Sequence, residues 1–126
     1  MNWKYVKKIK DKNTIDMINN SNIPMELKQL IKQYNGGRPE KNIFDTKSSK
    51  ERVLKSLISY NKEDKENIYM YEKIFNKGLI PFAVTEFGDI ICINTETSEV
   101  ELYLHEQDKT EKISDGISEF FDKLYV

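Results

Sequence analysis

Hydrophobic positions divide the chain into stretches of different period. Leu27, Leu30, Ile31 and Tyr34 recur at the i, i+3, i+4, i+7 spacing of one helix face, with Lys28 and Lys32 on the wet side. Pro24 sits where a first helical residue would, since its fixed φ and missing N–H cost nothing there. Asn35-Gly36-Gly37 stops this helix, because a glycine takes the left-handed conformation that closes a last turn. One of the two glycines is therefore expected at positive φ. Pro39 prevents resumption. Upstream, Trp3, Tyr5 and Ile9 set against Lys4, Lys8 and Lys10 give a broken alternation, read as a short edge strand or an extended arm docked by Trp3. Asn13 or Thr14 then caps a short helix to about Asn19, with Ile15 and Ile18 facing in.

Residues 40–52 are a polar loop anchored by Ile43 and Phe44, with room for one short strand. Residues 53–60 fit neither period cleanly, and a strand is expected near Leu57 to Tyr60. Ile68, Tyr71 and Phe75 mark a second helix that ends before Gly78. Leu79 to Val84 reads as a strand in which Pro81 signals an edge, a bulge or a strand start. Glu86-Phe87-Gly88-Asp89 carries a turn. Ile90 to Ile93 is apolar at every position, as in a strand covered on both faces. After a turn at Asn94 to Ser98, Val100, Leu102 and Leu104 alternate with Glu99, Glu101 and Tyr103, which indicates a half-exposed strand. Ser114 or Asp115 caps a closing helix bearing Ile117, Phe120, Phe121 and Leu124 at helical spacing. Helices, then strands joined by short turns, then a helix predict an α+β fold: a central antiparallel sheet with helices packed mainly on one face. A length of 126 residues suits a single domain over residues 1–126.

Composition narrows the function. Charged residues make up 33% of the chain and mean hydropathy is −0.67, and no apolar run approaches the ~20 residues of a membrane span, so no membrane association is expected. No secretory leader is legible. The lone Cys92 cannot form an internal disulfide and fits a reducing compartment, the cytoplasm. The net charge of −1 conceals an asymmetry. Residues 1–62 carry fourteen Lys or Arg against six Asp or Glu, and residues 63–126 carry six against fifteen. The halves either present a positive and a negative region or interleave and cancel.

Catalytic chemistry finds little support. His105 is the only histidine, no serine lies in a Gly-x-Ser-x-Gly elbow, and Cys92 lies in the most apolar strand, where a thiol is inert. Neither a second histidine beside His105-Glu106 nor a second cysteine is available for a zinc site, and no calcium loop occurs. No catalytic residue, metal or cofactor is therefore expected. Asn35-Gly36-Gly37 lies at a helix end, the wrong polarity for a phosphate loop. Lys4, Lys7, Lys8, Lys10 and Lys12 beside Trp3 and Tyr5 could form a basic arm for nucleic acid, but Trp3 reads better as an anchor to the core and the pI is 5.9. What remains is a surface. Between Thr85 and Glu111 there are eight acids and one lysine, Lys109. Glu86, Asp89, Glu99, Glu101 and Glu106, with Tyr103 as an aromatic anchor, form the candidate partner-binding set. Carboxylates interleaved with an aromatic imitate a phosphate backbone or steer a basic partner.

The ordered motifs resemble the SUKH superfamily, which includes bacterial toxin-immunity proteins and fungal cell-wall regulators of the Smi–Knr type. The resemblance rests on Ile23-Pro24 opening a helix and Asn35-Gly36-Gly37-Arg38-Pro39 ending it. It continues through Leu79-Ile80-Pro81-Phe82-Ala83, Phe87-Gly88-Asp89 leading into Ile90 to Ile93, the strand Val100 to Leu104 with His105-Glu106 after it, and the helix around Glu119-Phe120-Phe121. Pro24, Asn35, Gly36, Gly37, Pro39, Pro81 and Gly88 are its structural positions. Two departures stand out: Glu86 where the family often has Asp, and Phe87 where a second glycine is frequent. The resemblance implies a non-enzymatic domain that binds and neutralises a cognate toxin, often a nuclease. The regulator branch implies a scaffold domain bound to a housekeeping protein. No contact residue transfers with it.

Overall fold

A computed structural model describes residues 2–126. Strand β1 (Trp3–Lys4) is followed by helices α1 (Lys12–Asn20) and α2 (Met25–Tyr34), then by short strands β2 (Arg38–Pro39) and β3 (Ile43–Phe44) and by β4 (Arg52–Leu57). A 3₁₀ turn (Ile68–Tyr71) runs into α3 (Glu72–Phe75). Strands β5 (Leu79–Thr85), β6 (Ile90–Asn94), β7 (Val100–Leu104) and β8 (Lys109–Ser114) follow, and α4 (Ile117–Asp122) closes the fold. Strands β3 to β8 form one antiparallel sheet in sequence order, and β1 pairs with β2 in a separate ribbon. The fold is α+β.

The apolar stripe of the amphipathic helix α2 faces the core as its period predicts. Leu27 and Ile31 are buried, and Gly36 at the helix end has φ +70°. Gly37 is needed for a different reason: a Cβ there would lie 2.9 Å from the Tyr34 carbonyl oxygen. Asn35, just before these glycines, is buried and ties three segments together. Its Nδ2 donates to the Lys7 carbonyl at 2.7 Å and to Ser59 Oγ at 3.0 Å, and its Oδ1 accepts the Tyr60 N–H at 2.8 Å. The basic arm is docked by Trp3, whose ring stacks on Tyr34 at 4.5 Å and 8°, so that ring is not free to stack on bases.

One side of the sheet receives the helices. Phe120 of α4 meets Phe44 of β3 and Phe82 of β5 edge-on, and Phe121 tilts against Trp3. The segment after α3 passes onto the other side, where Lys77 Nζ stands 5.9 Å from the Tyr103 ring centroid. Strand β5 is buried along its whole length, as is β6 from Ile90 to Ile93. Both edges of the sheet are guarded. Tyr125 exchanges two backbone hydrogen bonds with Ile43 on the β3 edge, and Ser48, just beyond β3, donates its backbone N–H and its hydroxyl to the Glu111 carboxylate on β8.

Several expectations need correction. The cap of α1 is Asp11, whose Oδ1 accepts the Asn13 N–H at 2.9 Å, not Asn13 or Thr14. Pro24 is the cap of α2, one residue before its first turn. Lys28 is buried, not wet: its Nζ donates to the Asn19 carbonyl at 2.9 Å, where a cation suits the C-terminal end of α1. Strand β4 ends at Leu57, and the expected Leu57 to Tyr60 stretch is a buried connection with one bridge, Ser59 to Asn67. The helix expected through Phe75 is a 3₁₀ turn plus one α-turn that buries Ile68 and Ile74 and leaves Phe75 outside. Of the three alternatives for Pro81, the bulge holds: Pro81 lies in the interior strand β5 beside a register shift between Pro81 and Ala83. Strand β8 was not expected, and α4 is capped by Gly116 rather than by Ser114 or Asp115.

Candidate functional site

The six predicted partner-binding residues separate into two places. Alternation on β7 sets Val100, Leu102 and Leu104 inward and Glu101 and Tyr103 on the opposite face, with Glu99 just before the strand. That face carries its own counter-groups. Lys112 of β8, across from Glu101, brings Nζ to 2.7 Å from Glu99 Oε2 and also pairs with Asp115. These partners raise the Lys112 pKa, Asp115 first and Glu99 second. Asn94 Nδ2 donates to Glu101 Oε2 at 3.1 Å. The Tyr103 hydroxyl donates to Asp108 Oδ1 at 2.6 Å, and Lys77 Nζ lies 2.9 Å from that same oxygen. The Tyr103 bond and then the Lys77 ammonium hold the Asp108 carboxyl below its ordinary range.

Glu86, Asp89 and Glu106 lie together at one end of the sheet, on the β5–β6 and β7–β8 turns. Asp89 points inward, its side chain 13% exposed. One carboxylate oxygen accepts the His105 backbone N–H at 3.1 Å and lies 2.7 Å from His105 Nδ1. The other accepts from Arg52 Nη1 at 3.2 Å. Asp89 is thus a bracket joining β4, the β5–β6 turn and the end of β7. Glu86 and Glu106 are held loosely: Arg38 Nη2 is 3.9 Å from Glu86, and His105 Nε2 is 4.0 Å from Glu106, whose side chain is 86% exposed. Arg38 and Arg52 belong to the basic half of the sequence and Glu86 and Asp89 to the acidic half, as do Lys10–Glu63 and Lys55–Glu66, so the halves interleave at these points.

Sequence reasoning missed Phe87 as a surface feature. It stands at the tip of the β5–β6 turn, 85% exposed. The sequence signal is a large aromatic between Glu86 and Gly88 that belongs to no helical or strand period.

Cys92 is wholly buried in β6, and burial pushes its thiol pKa well up. Among the described residues, no three His, Cys, Asp or Glu side chains come together as a metal-holding group, and no helix is long and apolar enough to cross a membrane. The sheet end therefore offers charge and shape: two exposed carboxylates and an aromatic ring on a firmly bracketed turn.

No match was found among curated proteins or among solved structures. A family profile does match: that of the SMI1-KNR4 cell-wall family, SUKH_6, over residues 10–121. That span runs from before α1 into α4 and takes in the Asn35–Gly37 helix end, the six-stranded sheet and both turns of the sheet end. The chain belongs to the SMI1-KNR4 family of the SUKH superfamily.

Proposed function

We propose that the chain is an immunity protein that binds a cognate toxin domain in the cytoplasm and neutralises it by occupying its working surface. Family membership supports a protein-binding role of the immunity or regulator kind. The observation that carries the reading further is the sheet end, where Glu86 and Glu106 stand exposed on adjacent turns of a bracketed scaffold. A nuclease binds phosphates and presents a basic cleft, and carboxylates held at fixed positions attract such a cleft over long range. The scaffold acts by binding alone, with no chemical step of its own.

A second reading is a scaffold domain that binds a housekeeping protein of cell-wall synthesis, favoured by the family's own description. Co-expression separates the two. The chain is produced together with candidate toxin domains encoded near its gene, and growth is scored. Restored growth with a stable complex supports immunity. Continued killing with no complex rejects it in favour of the scaffold reading.

A further inference from the structure

Phe87 is the most exposed large hydrophobic side chain among the described residues. Leaving a phenyl ring in water forgoes the ~1.5–3 kcal/mol that burial of such a side chain contributes. The turn that carries it is not loose. Thr85 N–H and Oγ1 both donate to the Asp89 carbonyl, at 2.9 and 3.0 Å, and Asp89 N–H donates back to Thr85 Oγ1 at 3.1 Å. Gly88 N–H reaches the Thr85 carbonyl at 3.2 Å, and Glu86 N–H crosses to the Val53 carbonyl of β4 at 3.1 Å. Gly88 has φ +89°, a conformation that a side chain disfavours, and the His105 ring lies against it. Beneath the turn, the Asp89 carboxylate holds Arg52 and His105.

A rigid turn presents the ring at a fixed place, so little conformational freedom is lost when a partner covers it. Aromatic side chains filling a partner's pocket are the groups that dominate interface energetics. The nearby charges define the partner's rim: Glu86 precedes Phe87 on its turn and Glu106 stands exposed on the β7–β8 turn, with Arg38 no nearer than 3.9 Å to the first and the His105 ring 4.0 Å from the second.

We propose that Phe87 is the anchor of this protein's interface, inserting into an apolar socket of a folded protein partner whose rim carries Lys or Arg side chains that meet Glu86 and Glu106. The inference rests on the protein-binding reading above and names its surface. The two contributions divide kinetically. The ring slows dissociation, because its contact is lost only when the complex opens. The carboxylates speed association, because they act before contact.

The test measures association and dissociation rates between the full chain and the toxin domain that the co-expression experiment above pairs with it, at two salt concentrations. Phe87→Ser is expected to weaken binding about 30-fold, mostly through faster dissociation, while Phe87→Leu keeps most of the affinity. Glu106→Lys is expected to slow association several-fold at low salt, with a smaller effect at high salt. Thermal midpoints of all three variants should match the parent, since both positions are exposed. A complex whose rates ignore Phe87→Ser overturns this inference and leaves the immunity reading standing. No complex with the parent chain overturns both. A dimer of the free chain that Phe87→Ser dissolves would assign the ring to a second copy and also overturn it.

Discussion

Two acid-bearing regions of the same sheet differ in what surrounds each carboxylate. On the outer face of β7, Glu99 lies 2.7 Å from Lys112, Glu101 accepts from Asn94 and Tyr103 is bonded to Asp108. At the sheet end, Asp89 turns inward to brace the scaffold, Glu86 meets the Arg38 guanidinium only at 3.9 Å, and Glu106 has the His105 ring 4.0 Å away. A close partner screens a carboxylate and holds its side chain in one geometry, and a partner protein must break that pairing before using the charge. The loosely held acids need no such step. Strand alternation thus states which way a side chain points, and only tertiary pairing states whether it is available.

The largest expected effect concerns the bracket that makes the sheet end rigid. Asp89→Ala leaves Arg52, which is largely buried, without its carboxylate, and frees both the backbone N–H and the ring of His105. Denaturant unfolding should show a loss of about 3 kcal/mol, with Asp89→Asn losing less because the amide oxygen still accepts a hydrogen bond. Equal stability of parent and Asp89→Ala would mean that the turn is held by its backbone hydrogen bonds alone.

A smaller effect is expected on the β7 face. Reversing Glu99 and Glu101 together to lysine removes the Glu99–Lys112 ion pair and crowds Lys112, so stability should fall, by less than for Asp89→Ala. Association with the toxin domain should slow less than for Glu106→Lys. A double reversal that slows association more than Glu106→Lys would move the steering charge to β7.

The smallest effect is an acid transition confined to the β7 face. The Asp108 carboxyl is held below 3.8 in the folded chain, first by the Tyr103 bond and then by Lys77. Its contribution to stability is therefore complete above the unfolded value near 3.8 and is lost as pH falls through the lower folded value. Carboxyl titration by NMR should place the Asp108 midpoint below 3.8, with Tyr103 ring signals moving in the same step. A midpoint at or above 3.8 would show that the cluster does not hold in solution.

Much of the fold was legible because its signals are local. The i, i+3, i+4, i+7 stripe of α2, the glycine stop at Asn35–Gly37, the unbroken apolar run of β6 and the alternation of β7 each need only neighbouring residues. Strand β8 was not legible: Lys109 to Ser114 holds one apolar residue, Ile113, because an edge strand with a wet outer side needs no more. Strand β4 was displaced because the apolar residues at its end continue into the buried connection Ile58–Tyr60. Lys28 read as wet because its partner, the Asn19 carbonyl, belongs to another helix. The candidate site was legible only as a set of acids. Its division into paired and loosely held members depends on β8, which supplies Lys112, and on the Arg52–Asp89–His105 bracket, whose members are far apart in sequence. An aromatic outside any helical or strand period marks Phe87 locally, but its exposure follows from the turn being closed beneath it by Thr85 and Asp89.

The sheet end, and not the β7 face, is the proposed partner surface. Amide chemical shifts of the isotope-labelled chain, recorded with and without the unlabelled toxin domain that the immunity proposal pairs with it, distinguish the two. Large changes are expected at Thr85 to Asp89 and at His105 to Gln107, with Glu99 to Tyr103 and Lys109 to Lys112 nearly unmoved. Large changes along Glu99 to Tyr103 with an undisturbed Phe87 turn would instead place the interface on β7.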